Sequence, residues 1–244
     1  MLVFQQEITD IGREIITMAN VARLQEADIE KIYLCPLFKG IDTSTLAAII
    51  KKPYTKVTEC ENDTVVYKTG QKLSQMVLVL TGELGLINTN FRHESSIVEV
   101  FDSGELFGSE YVLASDNHLN YDVCALEDSK ILTIDYSKLV ADKDFAKIIG
   151  VISNNLLQFH VAHTRALQAH IYHLAQPTTR EKLLAYLTDE SNKAGSNSFH
   201  IKFDRQELAD YLAVERSAMC AELSRMQKAG LISYRKNDFT LKKK

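Results

Sequence analysis

The chain has 244 residues, 45% hydrophobic and 25% charged, with a formal net charge of −4. This is ordinary composition for a soluble globular protein, and the length allows two modest domains or one domain with a long appendage. No apolar run approaches a membrane span and no short apolar stretch follows a basic start, so the expected location is cytoplasmic, with no membrane partner.

The charge is unevenly placed. Residues 177–244 carry 13 Lys and Arg against 9 Asp and Glu, while the preceding 176 carry 15 against 23. A locally basic end on an acidic body directs that end toward a polyanion. Cys35, Cys60, Cys124 and Cys220 are far apart, with no C-x-x-C pair, which suggests neither a zinc ribbon nor a clustered iron–sulfur site.

In chain order, Ile8, Ile11, Ile15 and Met18, then Ile29 and Ile32, fall at helical spacing and predict an N-terminal helical extension over 1–33. The stretch PLFKGIDTSTLAAIIKK reads as a turn at Gly40 followed by a short helix. From Tyr54 to Asp135 the period changes to two, and the β-rich runs are broken by Gly70, Gly82, Gly104 and Gly108. Several short strands at this spacing predict a β-roll or jelly roll over 34–140.

Residues 141–176 are expected to form a long helix. Ile149, Ile152, Leu156, Phe159, His163, Leu167, His170 and Leu174 recur at steps of three and four, the seam of a coiled coil, for which a second copy of the chain is the economical partner. Four histidines, His160, His163, His170 and His173, lie on this helix. Near a two-fold axis His163 and His170 could face their own copies and bind zinc or act as a proton switch. The preferred reading is that they are polar residues satisfied by neighbours or water.

Residues 177–244 are expected to form a separate domain. Pro177 ends the long helix, Thr178 and Glu181 make a capping box for the next, and SNKAGSNS reads as a loop before the short strand FHIKF. In RQELADYLAVERSAMCAELSRM, Asp204 and Glu207 form a second capping box. Leu208 and Leu212 face inward, and Ala209 is small where two helices cross. A second helix starts near Glu215, with Met219, Leu223 and Met226 inside and Arg216, Ser217, Cys220 and Arg225 outside. Gly230 caps it, and LISYRKNDFTL reads as a hairpin. Helix, helix, hairpin is a winged helix-turn-helix, whose second helix fits the DNA major groove.

This order of parts resembles the Crp/Fnr transcriptional regulators over about residues 30–240. Its best local marks are PLFKGI, VLVLTGELGL, GELFG, ALEDSKILTID and RQELADYLAVERSAMCAELSRMQKAGLI. The resemblance implies an α+β chain with a β-roll sensor, a dimerisation helix and a C-terminal winged helix-turn-helix. It further implies a homodimer on palindromic double-stranded DNA, with RNA polymerase as a further partner of an activator.

The departures from the family pattern bear on the ligand. Cyclic-AMP-binding members carry F-G-E and then an Arg-Ser pair that hold ribose and phosphate. The corresponding positions here are Glu105, Phe107, Gly108, Ser109, Glu110, Leu119 and Asn120, with Ser109 for the Glu and Leu119-Asn120 for Arg-Ser. Leucine cannot neutralise a phosphate, so cyclic AMP is not expected to bind tightly, and any effector is an unknown small ligand. The close N-terminal cysteine run of cluster-binding relatives is missing, and His93, His118 and the scattered cysteines give haem no support. No cofactor is therefore expected.

In the recognition helix, Arg216 matches the family's first arginine and is the candidate for bidentate contact with guanine, while Ala221 stands at the second-arginine position and offers apolar contact. Arg205, Gln206, Lys236 and Asn237 are candidate phosphate contacts, and Glu215, Ser217, Cys220 and Arg225 complete the candidate DNA face. Two other classes compete. A cupin-type enzyme needs several His and a Glu around a metal, and the barrel region offers only His93 and His118. A β-barrel small-molecule-binding signalling adaptor without DNA binding is the alternative function.

Overall fold

A continuous apolar run, MVLVL, sits among alternating strands, and the layers around it explain why. The structure, a computed structural model, describes residues 24–90 and 94–242. The chain divides into two compact units between Phe159 and His160.

In the first unit the strands are β1 (Thr55–Cys60), β2 (Val65–Tyr67), β3 (Gln75–Thr81), β4 (Leu84–Thr89), β5 (Ser95–Phe101), β6 (Leu106–Phe107), β7 (Asp122–Ala125) and β8 (Ser129–Asp135). They form two antiparallel sheets, ordered β1-β8-β3-β6 and β2-β7-β4-β5. This is the expected β-roll. Gly82, at φ +81°, turns β3 into β4. A Cβ there would stand 2.2 Å from Ser129 Oγ, so only glycine fits.

The sheets enclose a core of Leu73, Val77, Val79, Leu84, Phe107, Leu119, Val123 and Ile131. The outer face of the β3 sheet is covered as well, by helices α1 (Glu26–Leu34) and α2 (Thr43–Ile50) and the 3-10 turn Pro36–Phe38 between them. Residues 76–80 of β3 are thus buried on both faces, which is why they read as an unbroken apolar run. The Lys130 ammonium meets the buried Asp28 carboxylate at 2.9 Å and ties β8 to α1. Ile29 and Ile32 are fully buried in this core. The described part of the expected extension, from residue 24 to 33, therefore belongs to the sensor, and the boundary drawn at residue 33 cuts through α1. The expectations for Ile8, Ile11, Ile15, Met18 and His93 lie outside the described residues.

After β6 comes the short helix α3 (Ser109–Leu113), and after β8 comes α4 (Tyr136–Ala141). The long helix α5 runs from Ile149 to Leu174. Its expected apolar seam is divided between two environments. Ile152 and Leu156 are buried in the sensor core, with Ile149 and Phe159 packed against it. Burial of each side chain stabilises that core by about 1.5–3 kcal/mol, so neither is available to a second copy. His163 and Leu167 are exposed, while His170 and Leu174 are half-buried. A different line faces outward: Leu157, Val161, Thr164, Gln168 and Ile171, at steps of four and three, are all exposed.

The second unit holds α6 (Thr179–Ala194), β9 (Ser198–His200), α7 (Arg205–Tyr211), α8 (Arg216–Lys228), β10 (Ile232–Arg235) and β11 (Asp238–Leu241). The sheet order is β10-β11-β9. The Asp204–Glu207 box is formed as expected. At Thr178 the cap takes a different form: its hydroxyl accepts from the Glu181 N–H and donates to the Glu181 carboxylate. SNKAGSNS is not wholly a loop: α6 continues to Ala194, and Gly195, in the left-handed conformation, closes it. The core gathers Leu183, Leu187, Leu208, Leu212, Met219, Leu223, Met226, Ile232 and Phe239. Its side chains come from all three helices and the hairpin, so the helix pair is held by a genuine core.

Candidate DNA-reading surface and sensor interior

The reading surface begins at a turn that contains no glycine. Helix α7 ends at Tyr211, Ala213 takes φ +49°, and Glu215 caps α8. The Glu215 carboxylate accepts from the backbone N–H groups of Ser217 and Ala218 and from the Ser217 hydroxyl. These donors, the hydroxyl foremost, hold its carboxyl below the usual carboxylate range. Glu215 and Ser217 are therefore occupied in ordering the first turn of α8, and this limits both as base contacts.

Met219, Leu223 and Met226 are fully buried, and the outer face of α8 is left exposed. Arg216 stands at its first position, exposed, with no hydrogen bond to its guanidinium among the described residues. Ala221 is exposed and Cys220 is half-buried on the same helix. Arg225 is committed: its Nη1 donates to Glu222 at 2.8 Å, and Arg180 of α6 donates to the other oxygen of Glu222 at 2.5 Å. Arg225 first and Arg180 second hold the Glu222 carboxyl low. Sequence reasoning missed this buried acid; its only local signal was the i, i+3 spacing to Arg225.

Arg205, a candidate phosphate contact, also works as a clamp within the domain. Its guanidinium lies over Tyr234 and Phe239, 5.5 and 5.2 Å from the ring centroids, and donates to the Lys236 carbonyl. It thereby fixes the start of α7 to the hairpin turn, where Lys236 adopts φ +52°. The Lys236 side chain itself is exposed. Gln206 is exposed and bonds Asp210 at 2.9 Å, and the Asn237 carbonyl accepts from the Ile201 N–H. Exposed Arg235 adds a cation beside the turn that sequence reasoning did not single out.

Within the roll, the expected pocket residues divide in two. Phe107, Gly108, Ser109 and Leu119 are buried, whereas Glu105, Glu110 and Asn120 are exposed. The Glu105 carboxylate accepts from the Asp102 N–H at 2.9 Å, a loop contact. The Phe107 ring packs 5.1 Å from Phe101 and 6.0 Å from Tyr111, and Phe107, Leu73 and Leu119 belong to one buried core. At Gly108 a Cβ would lie 2.8 Å from Leu73 and 2.9 Å from the Gln75 carbonyl, so chain and core touch directly here. Leu119 is 2% exposed, and its N–H and carbonyl are both used, on Gln71 and Gly70.

No Lys or Arg is buried among the described residues, and the Ser109 hydroxyl, also buried, has no hydrogen-bond partner. A cyclic phosphate needs a cation or converging N–H donors, and no buried Lys or Arg among the described residues supplies the cation. Among the described residues, no three His, Cys, Asp or Glu converge as a metal site, and no helix is long and apolar enough to cross a membrane. Burial pushes the Cys35 thiol up to about 11, so it is inert rather than reactive.

Two family models match the chain: the cyclic nucleotide-binding domain over residues 57–141 and the Crp-like helix-turn-helix domain over residues 181–244. The chain belongs to the Crp/Fnr family of transcriptional regulators. Like that family, it joins a β-roll of cyclic nucleotide-binding type to a DNA-binding helix-turn-helix. No curated protein matches it in sequence. The solved structure of DNR from Pseudomonas aeruginosa aligns with a TM-score of 0.50 at 14% identity, covering 91% of this chain and 96% of that one, a likeness of fold. The catabolite activator protein of Thermus thermophilus aligns at 0.46, with 19% identity and coverage of 85% and 93%. FixK2 from Bradyrhizobium japonicum aligns at 0.43, with 17% identity and coverage of 78% and 93%.

Proposed function

We propose that this Crp/Fnr regulator is a cytoplasmic, non-enzymatic homodimer that reads palindromic duplex DNA and does not respond to cyclic AMP. The observation that carries the reading is Arg216: an exposed guanidinium on the first turn of an exposed helix whose other face is locked into a core. It donates in bidentate fashion to guanine O6 and N7, while Ala221 packs on a thymine methyl. Lys236 and Gln206 meet phosphates, which position the reader without specifying sequence.

The dimer pairs α5 along Leu157, Val161, Thr164, Gln168 and Ile171, the outward line, and sets the two copies of α8 one DNA turn apart, about 34–36 Å. The packed roll interior, with Leu119 in place of a cation, supports a signal other than a cyclic nucleotide. RNA polymerase is the further partner if the output is activation.

A salt titration of binding to a selected palindrome tests the reading. Affinity should fall linearly on a logarithmic plot as salt rises, because bound phosphates release counterions. A protein with no affinity for any duplex would instead be the signalling adaptor.

A further inference from the structure

Where α7 ends, its last carbonyls lose their intrahelical donors. Two of them are supplied from outside the helix pair. His170 of α5 donates from Nε2 to the Tyr211 carbonyl at 2.7 Å, and Lys182 of α6 donates to the Leu212 carbonyl at 2.9 Å. The His170 ring also stacks on the Tyr211 ring, 4.1 Å between centroids and 14° between planes.

Behind this pair, His173 is 1% exposed and uses both ring nitrogens. Nε2 is hydrogen-bonded to the Asp189 carboxylate at 2.8 Å, and Nδ1 to the Tyr211 hydroxyl at 3.1 Å. Tyr186 meets the edge of the same imidazole at 5.7 Å. The last turns of α5 are thus bonded, through two histidines, to the residue that ends α7. Five residues later comes Arg216. The division of the chain agrees with this, since everything from His160 onward belongs to the reader's unit.

We infer that His170 and Tyr211, backed by His173 and Asp189, form a latch that makes the second half of the long helix and the recognition helix one rigid body. The turn between α7 and α8 aims Arg216, and the latch fixes that turn to α5. The exposed Val161 and Ile171 then sit on the same body as Arg216, so pairing of two copies through that face sets the distance between the two recognition helices. His170 and Tyr211 are positioning residues: they touch no DNA and decide which half-site spacing is read. The inference rests on the dimeric DNA reading proposed above.

The test compares the full-length wild type with the double variant His170→Ala/Tyr211→Phe, and with His170→Phe alone, which keeps the ring stack. Binding is measured to the selected palindrome, to versions with one base pair added or removed between half-sites, and to an isolated half-site. The double variant should lose about tenfold in affinity for the palindrome and accept altered spacings nearly as well, with half-site affinity unchanged. His170→Phe should restore part of the spacing preference. Unchanged spacing preference, or an equal loss on the half-site, would overturn the latch.

Hydrogen exchange without DNA gives a second readout. Amides of residues 170–176 should lose protection in the double variant while those of 219–226 keep it, and unchanged protection at 170–176 overturns the inference even if the wild type binds no duplex. Failure of the wild type to bind any duplex counts instead against the DNA reading.

Discussion

The interior of the roll and the outer face of α8 are the two places where a signal-reading DNA binder needs exposed chemistry, and here they differ. The roll keeps its sheets and tight turns, and Phe107, Leu73 and Leu119 are buried in its core with Tyr111 packed against them. The reader also buries its apolar face completely, yet leaves Arg216 and Ala221 outside. A fold can persist without a buried cation at such a site, because sheet pairing asks only for apolar side chains inward, whereas a phosphate site asks for a particular cation.

The sharpest way to break this contrast is in the roll. Leu119→Ala should cost about 2–5 kcal/mol, the usual result of emptying a packed site, read by urea unfolding. A loss well under 1 kcal/mol would mean that the side chain borders an open pocket and that the interior is not closed. On the reader the corresponding change is Arg216→Ala. It should cost about 1–3 kcal/mol of discrimination between the selected palindrome and a scrambled duplex, with non-specific affinity nearly unchanged.

The two halves of α5 sharpen the contrast again. Ile171→Asp, at a position 66% exposed, should leave unfolding within about 0.5 kcal/mol of wild type while weakening self-association at least about tenfold, read by sedimentation. An unaffected dimer would move the interface off the Val161–Ile171 line.

What the sequence made legible follows the range of the interactions involved. The caps at Thr178 and Asp204, the start of α8 near Glu215 and the inner face of α8 were readable, because each depends on residues within a few positions. The spacing puts Ile152 and Leu156 on the α5 seam, whereas the fold buries them in the sensor core. Steps of three and four occur along two faces of that helix, and only the three-dimensional fold shows which face meets the sensor core. Arg205 reads in sequence only as a phosphate contact, because its clamp lies on Tyr234, Lys236 and Phe239, about thirty residues away. The pairing of His173 with Asp189 and Tyr211 was hidden for the same reason.

Smaller effects test the local framework that both regions share. Asp204→Ala removes the α7 cap and should cost about 1 kcal/mol in thermal or urea unfolding, and no cost would mean that the box is dispensable. In the sensor, Ser44, Thr45 and the Thr45 N–H hold the Asp42 carboxyl down at about 2 from its ordinary 3.8. A folded value below the unfolded one means that this cap stabilises fully above about pH 4 and loses its contribution as the pH falls through about 2. A carboxyl NMR titration that places Asp42 near 4 would remove that contribution.

The account stands most directly on what Arg216 reads. Selection from random duplex DNA, run side by side on the wild type and on Arg216→Ala, should give a palindrome with a fixed guanine in each half-site for the wild type. The variant should return the same palindrome with that position degenerate. No enriched sequence from the wild type, or the same guanines from the variant, would contradict it.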